Sequence, residues 1–140
     1  MSEAEALGSL LAAEHAAVYG YGVLGARLDD QTRTVARAAF DRHRTQRNAL
    51  QVLMQSRGLA TPGPSPSYDV AVADRLEALR LAIRIETGLA VRWRDLIGVT
   101  LDAALRRPAL DALTACAVSG TRWRQLASVL PLTEPFPGQA

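Results

Sequence analysis

The sequence predicts an all-α fold, and three observations support this prediction. Apolar residues recur every three or four positions over long stretches, β-branched residues are scarce, and alanine, leucine and arginine dominate the composition. The chain has 140 residues, of which 49% are hydrophobic and 21% are charged. This length and balance fit a single domain, residues 1–140, that buries about two thirds of its unfolded surface in one core.

Four helices are predicted from their start and stop signals. Ser2 and Glu5 form an S-x-x-E capping box at the first helix, and Gly58 is typical of the residue that follows a helix. The third helix opens at Asp74, and Pro108 is expected to open the fourth. The predicted helices span residues 2–28, 30–57, 74–106 and 108–130, and an extended, proline-containing tail follows over residues 131–140.

The connection between the second and third helices, residues 58–73, is long and rich in proline. Pro62, Pro64 and Pro66 favour an extended chain that rises about 3.1 Å per residue, which gives about 50 Å of reach. A helix of about 27 residues is about 40 Å long, so this segment can cross the full length of the helices. We therefore expect one long crossover, with the third helix parallel to the second. A flexible loop that joins neighbouring helix ends is the alternative.

Charge and cysteine content exclude several classes of function. All sixteen basic residues are arginine, the net charge is +2, and no basic run is interleaved with aromatic residues, so nucleic-acid binding is not expected. The amino terminus lacks the basic region of a signal peptide, and no apolar stretch is long enough to span a membrane. Cys116 is the single cysteine, which excludes an intramolecular disulfide and favours a reducing compartment. We therefore expect a cytoplasmic protein with no membrane contact.

An ionisable residue interrupts the apolar stripe of three helices at a similar height. Tracing each helix in steps of three and four residues places Glu14, His43 and Glu86 among the apolar positions, each near the twelfth or thirteenth residue of its helix. An ionised carboxylate in such a layer is costly unless it is paired, hydrogen-bonded or bound to a cation. The sequence therefore predicts a central polar layer. His15 is expected at the partly exposed edge of the stripe.

An internal repeat relates the first two helices to the last two. Glu14 is followed seven residues later by Tyr21, and Glu86 is followed seven residues later by Trp93. The segment TQRNALQVL of the second helix aligns with RWRQLASVL of the fourth. The same offset aligns two further pairs of positions, Phe40 with Ala117 and His43 with Gly120.

Two helix pairs, a long crossover, a central glutamate in each odd helix and a histidine in the second helix resemble the ferritin-like superfamily over residues 2–130. In its di-iron members each odd helix gives a Glu and each even helix gives a Glu-x-x-His motif. The resemblance assigns Glu14, His43 and Glu86 to three of these six ligand positions. The other three positions hold residues that supply no ligand: Phe40, Ala117 and Gly120.

A narrower resemblance rests on the segment AAEHAAVYGYG, the HR of the second helix, the YD after the prolines and the repeated RWR. These motifs are similar to a small bacterial family of ferritin-like proteins of unassigned function. The narrower resemblance brings no established activity. The wider resemblance to ferritin-like bundles implies a homodimer, by analogy with the fold.

The missing bridging glutamates favour a structural interpretation of the central layer. In this interpretation the two glutamates are neutralised by the histidine and an arginine, no cofactor is bound, and the protein is a non-enzymatic structural or interaction module. The expected members of the layer are Glu14, Tyr21, His43, Glu86 and either Arg44 or Arg47.

Two other interpretations stay open. One transition-metal ion, iron, manganese or zinc, could be held by Glu14, His43 and Glu86, since one histidine and two carboxylates form an open site. A small ligand could instead occupy a cavity beside Gly120. The sequence has no nucleophile and base pair, phosphate-binding loop or cofactor fingerprint, so no catalytic residue is assigned.

Overall fold

The computed structural model describes residues 1–139, which form four α-helices. Helix α1 spans Glu3–Leu24 and continues into a 3-10 turn over Gly25–Arg27. The others are α2 over Asp30–Ser56, α3 over Arg75–Val99 and α4 over Ala103–Ala127. No strand occurs within residues 1–139, so the predicted all-α class is confirmed.

Each helix begins at a side chain that satisfies its free N–H groups. Ser2 and Glu5 form the predicted capping box of α1. Asp29, Asp74 and Asp102 each accept a hydrogen bond from a backbone N–H in the first turn of α2, α3 and α4, respectively. Such caps stabilise a helix by about 1 kcal/mol, so they fix where each helix starts.

The boundary between α3 and α4 differs from the predicted one. α3 ends at Val99 rather than at residue 106, and Pro108 lies inside α4 instead of at its first position. Thr100 adopts an extended conformation, and the Asp102 carboxylate caps the first turn of α4 at 2.9 Å while also binding Arg57 at 2.6 Å. The cap and this ion pair outweigh the break at the proline, whose missing N–H removes one helical hydrogen bond.

Two apolar clusters lie inside the protein, where α1 packs against α2 and α3, and α3 packs against α4. The first cluster, around Leu10 and Leu96, joins the amino-terminal halves of α1 and α4 to the carboxyl-terminal halves of α2 and α3. The second, around Leu79 and Trp123, joins the opposite halves. Cys116, Trp93 and Trp123 are buried, as their positions on the stripes predicted. Within residues 1–139 none of the helices combines the length and apolar character that a transmembrane span needs.

The segment between α2 and α3 lies against α1. It leaves α2 through Gly58, which has a φ of +66°, a left-handed conformation that favours glycine. Pro62 contacts His15 and Tyr68 contacts Tyr19, both in α1, and Val72 contacts Arg27 in the 3-10 turn that follows α1.

His15 is buried beneath this segment, which corrects the expectation of a partly exposed side chain. Its Nε2 lies 3.0 Å from the carbonyl oxygen of Pro62. Burial lowers the pKa of His15, so the ring is favoured in its neutral form. Helix periodicity places a residue relative to its own helix and cannot show that a distant loop covers it.

Candidate functional site

A group of four charged side chains lies between the two apolar clusters. Glu14 of α1 and Glu86 of α3 are both 0% exposed, and His43 of α2 is 1% exposed. Arg42 of α2 completes the group, and its side chain is one-third exposed. We call Glu14, Arg42, His43 and Glu86 the central polar cluster. The three innermost residues come from three different helices, so the cluster links the chain across its middle.

The imidazole of His43 bridges the two carboxylates. Its Nδ1 lies 2.8 Å from Oε2 of Glu14, and its Nε2 lies 3.1 Å from Oε1 of Glu86. A ring nitrogen that faces a carboxylate oxygen must carry a proton to bond to it, so both contacts are satisfied only by the imidazolium form. Burial alone would lower the pKa of His43, but its hydrogen bonds and charge interactions with the two glutamates raise it to about 9.

Arg42 supplies the second positive charge. Its Nη2 donates to Oε1 of Glu86 at 2.8 Å and also lies 3.1 Å from Nε2 of His43. With His43 protonated, two cations balance the carboxylates of Glu14 and Glu86, and the cluster carries no net charge. Burial would raise the pKa of Glu86, but the hydrogen bond and charge of His43, together with the charge of Arg42, hold it below its usual value.

Two neutral donors also bind Oε1 of Glu86. The Tyr21 hydroxyl donates to its Oε1 at 2.5 Å, and the Ser119 hydroxyl of α4 donates to the same oxygen at 3.0 Å. The indole Nε1 of Trp123 in turn donates to the Tyr21 oxygen at 2.9 Å. The Tyr21 ring also stacks on His43, with centroids 5.5 Å apart. Burial and the neighbouring Glu86 raise the pKa of Tyr21 well above its ordinary value, so the phenol stays a donor.

The arginine that pairs with the carboxylates is not one of those predicted. Arg44 bonds to Asp41, and Arg47 bonds to Asn48, so neither reaches the cluster. Arg42 does so because it lies on the side of His43 that faces α3 and α4, along a groove of about 450 Å³ between α2 and α4. Residues 42 and 44 flank the histidine symmetrically in sequence, and only the position of the other helices distinguishes them.

The donor set of the cluster does not suit a metal ion. A histidine ligand offers a ring-nitrogen lone pair to the metal, whereas both nitrogens of His43 face carboxylates at hydrogen-bond distance. Phe40, Ala117 and Gly120, at the three remaining positions of the di-iron pattern, carry no ligand atom. Among residues 1–139, no three His, Cys, Asp or Glu side chains are arranged to hold a metal. A di-iron centre therefore does not fit these residues.

The fold and the site define an all-α, four-helix protein with a buried, charge-balanced polar cluster. The chain belongs to the family described as a domain of unknown function, DUF4439, whose profile matches residues 6–140. It is similar to a conserved hypothetical protein, rv2844, from Mycobacterium tuberculosis, with 33% sequence identity and a TM-score of 0.85. The alignment with that crystal structure covers 89% of this chain and 96% of the other. A comparison with curated proteins finds no match.

The raised pKa of His43 predicts that the protein loses stability in mild alkali. A group whose folded pKa lies above its unfolded value of 6.5 stabilises fully below that value, and its contribution is lost as the pH rises through about 9. We expect the free energy of unfolding to fall by about 2 kcal/mol between pH 6.5 and about pH 8.5. Urea denaturation at a series of pH values measures this slope.

Two histidine variants serve as controls for this slope. His43→Gln should remove it, whereas His15→Gln should keep it, because the lowered pKa of His15 confines its effect to lower pH. The measurement stops at about pH 8.5 because Cys116 adds a second pH dependence above it. Burial raises the pKa of this thiol in the folded protein, so it ionises first in the unfolded chain. A flat wild-type profile would contradict the bridging imidazolium, whether or not His43→Gln folds.

Proposed function

We propose that the protein is a non-enzymatic, ferritin-like four-helix module in which the central polar cluster fixes how the helices pair. One observation carries the proposal: both ring nitrogens of His43 lie within hydrogen-bond distance of carboxylates from two other helices. Such a bridge is complete in only one register of the three helices. Any other register leaves a buried carboxylate or imidazolium unpaired, which is strongly destabilising.

The internal repeat explains why directional contacts are needed to fix how the helices pair. The two halves of the chain carry similar apolar stripes, with Glu14 and Tyr21 in α1 matched by Glu86 and Trp93 in α3. Apolar contacts alone discriminate weakly between similar faces because they are non-directional. Hydrogen bonds to Glu86 from Tyr21 and Arg42 have defined partners, and these partners lie in α1 and α2. The cluster therefore distinguishes the intended arrangement from one with exchanged helices.

The ferritin-like topology is part of this proposal. The carboxyl-terminal halves of α2 and α3 share one apolar cluster, which supports a parallel orientation of these two helices. The segment between them contacts His15 and Tyr19 of α1 and then Arg27 of the following 3-10 turn, which supports a crossover that runs along α1. A homodimer and a cytoplasmic location stay predictions.

A pair of arginine variants tests the structural role. Arg42→Met removes a charge partner of the fully buried Glu86 and keeps a side chain of similar length. We expect the free energy of unfolding to fall by about 2 kcal/mol, less than for a fully buried pair because Arg42 is partly exposed. Arg44→Met, two residues away, removes a surface ion pair with Asp41 and a contact over the Phe40 ring, and it should change the free energy of unfolding by less than about 1 kcal/mol. Equal losses in chemical denaturation would contradict the proposal.

Metal titration separates this proposal from a mononuclear metal protein. Protein purified without chelators should contain far less than one equivalent of iron, manganese or zinc, since His43 offers no free lone pair. Elemental analysis and calorimetric titration with Zn²⁺, Mn²⁺ and anaerobic Fe²⁺ measure this. One tightly bound equivalent would contradict the structural role if Glu86→Ala abolished it while folded, and the exposed-site variant Glu77→Ala retained it.

A further inference from the structure

A pocket of about 170 Å³ opens between α3 and α4 beneath the carboxyl-terminal tail. Glu86 and Cys116 line its inner part, and the absence of large side chains at Ala117 and Gly120 leaves the space. Its lining is predominantly apolar. The groove between α2 and α4 that Arg42 lines is a second opening, which shares only Val118 with the lining of the pocket.

Glu86, which lines this pocket, has its two carboxylate oxygens in very different environments. Its Oε1 accepts from four groups, on Tyr21, Arg42, His43 and Ser119. Its Oε2 is buried and has no hydrogen-bond partner within residues 1–139. The Cys116 thiol, which interacts with the Glu86 carboxylate, is only a weak donor. A buried acceptor without a donor costs about 1–3 kcal/mol, and more when it is charged. Oε2 of Glu86, at the inner end of the pocket, would therefore be stabilised by a strong hydrogen-bond donor.

The charges around the pocket are already balanced, which restricts the kind of donor that fits. The carboxylates of Glu14 and Glu86 face the cations His43 and Arg42. Arg124, at the pocket wall, is paired with Glu134 of the tail at 2.5 Å. An additional cation would leave an unbalanced charge in an apolar space, which is costly. A neutral O–H or N–H group meets the need of Glu86 without adding charge.

The carboxyl-terminal tail is held in place over the pocket. Besides the pair with Glu134, Arg124 lies 3.3 Å from the Thr87 hydroxyl, so it ties the tail to α3. Further along, Gly138 has a φ of +86°, and a Cβ at this position would lie 2.8 Å from the Ala90 carbonyl oxygen. Only glycine fits this close approach. The tail thus forms a wall of the pocket with defined anchors.

We propose that this pocket binds a small neutral molecule with an apolar ring or chain and one O–H or N–H group, which donates to Oε2 of Glu86. The volume suits a molecule about the size of one aromatic ring, because a protein cavity of about 150 Å³ holds benzene. The site goes beyond the structural role of the central polar cluster and does not require it: Glu86 offers one oxygen to the cluster and the other to the ligand.

Phenol and aniline, with toluene as the donor-free control, test the proposal on the full chain. Titrations followed by NMR should give saturable 1:1 binding of phenol or aniline, at least about tenfold tighter than that of toluene, the factor that about 1.4 kcal/mol of hydrogen bonding supplies. Ala117→Leu fills the pocket and should abolish binding. Ala115→Leu, two residues away on α4 but facing the α2–α4 groove, should retain it.

A further variant covers the case in which Ala117→Leu does not fold. Gly138→Ala displaces the tail without touching Glu86, and it should weaken phenol binding at least about tenfold by opening one wall. No saturable binding of phenol or aniline, equal affinity for toluene, or unchanged binding in the folded pocket variants would each overturn the proposal.

Discussion

The carboxylates of Glu14 and Glu86 lie fully out of contact with solvent in the middle of the protein, and the surrounding structure is organised around them. Two ionised groups in such a place are costly unless opposite charges lie close to them. The bridging ring of His43 and the guanidinium of Arg42 supply these charges. These cations come from α2, while the carboxylates come from α1 and α3. The buried charges are therefore balanced only when the three helices pack together in this arrangement.

The fourth helix takes a different part in this arrangement. Through Ser119 and Trp123, α4 contributes neutral donors to the cluster or its Tyr21 partner, and it carries no charge there. At Ala117 and Gly120, where a larger residue could approach Glu86, α4 is small. Because the donors from α4 are neutral, they do not change the charge balance of the cluster. The small side chains leave the space that forms the pocket. The second helix has Phe40 and His43 where the fourth has Ala117 and Gly120. This difference between the two halves of the repeat accounts for both the charge balance and the pocket.

The inward-facing residues and several helix starts could be predicted from the sequence, because each depends on one helix at a time. The 3.6-residue period places Glu14, His43 and Glu86 on inward faces, and the capping residues Ser2 and Asp74 mark the starts of α1 and α3. Each of the three interrupting residues lies near the twelfth or thirteenth residue of its predicted helix, which is enough to suggest that they lie at one height.

The features that the sequence did not reveal depend on contacts between distant segments. Arg42 and Arg44 are equivalent beside His43 until the side on which α3 and α4 pack is known. The start of α4 depends on the pairing of Asp102 with Arg57 of α2, which outweighs the local signal of Pro108. The unequal hydrogen bonding of the two Glu86 oxygens is visible only when all its partners are in place.

The protonation state of His43 decides whether its ring bridges the two carboxylates as an imidazolium. The ¹⁵N chemical shifts and one-bond N–H couplings of the His43 ring, measured at neutral pH in labelled protein, report each nitrogen separately. We expect both nitrogens to be protonated, as an imidazolium between Glu14 and Glu86 requires. A neutral ring, with Nε2 unprotonated and accepting from Arg42, would leave the cluster with a net negative charge and contradict the account.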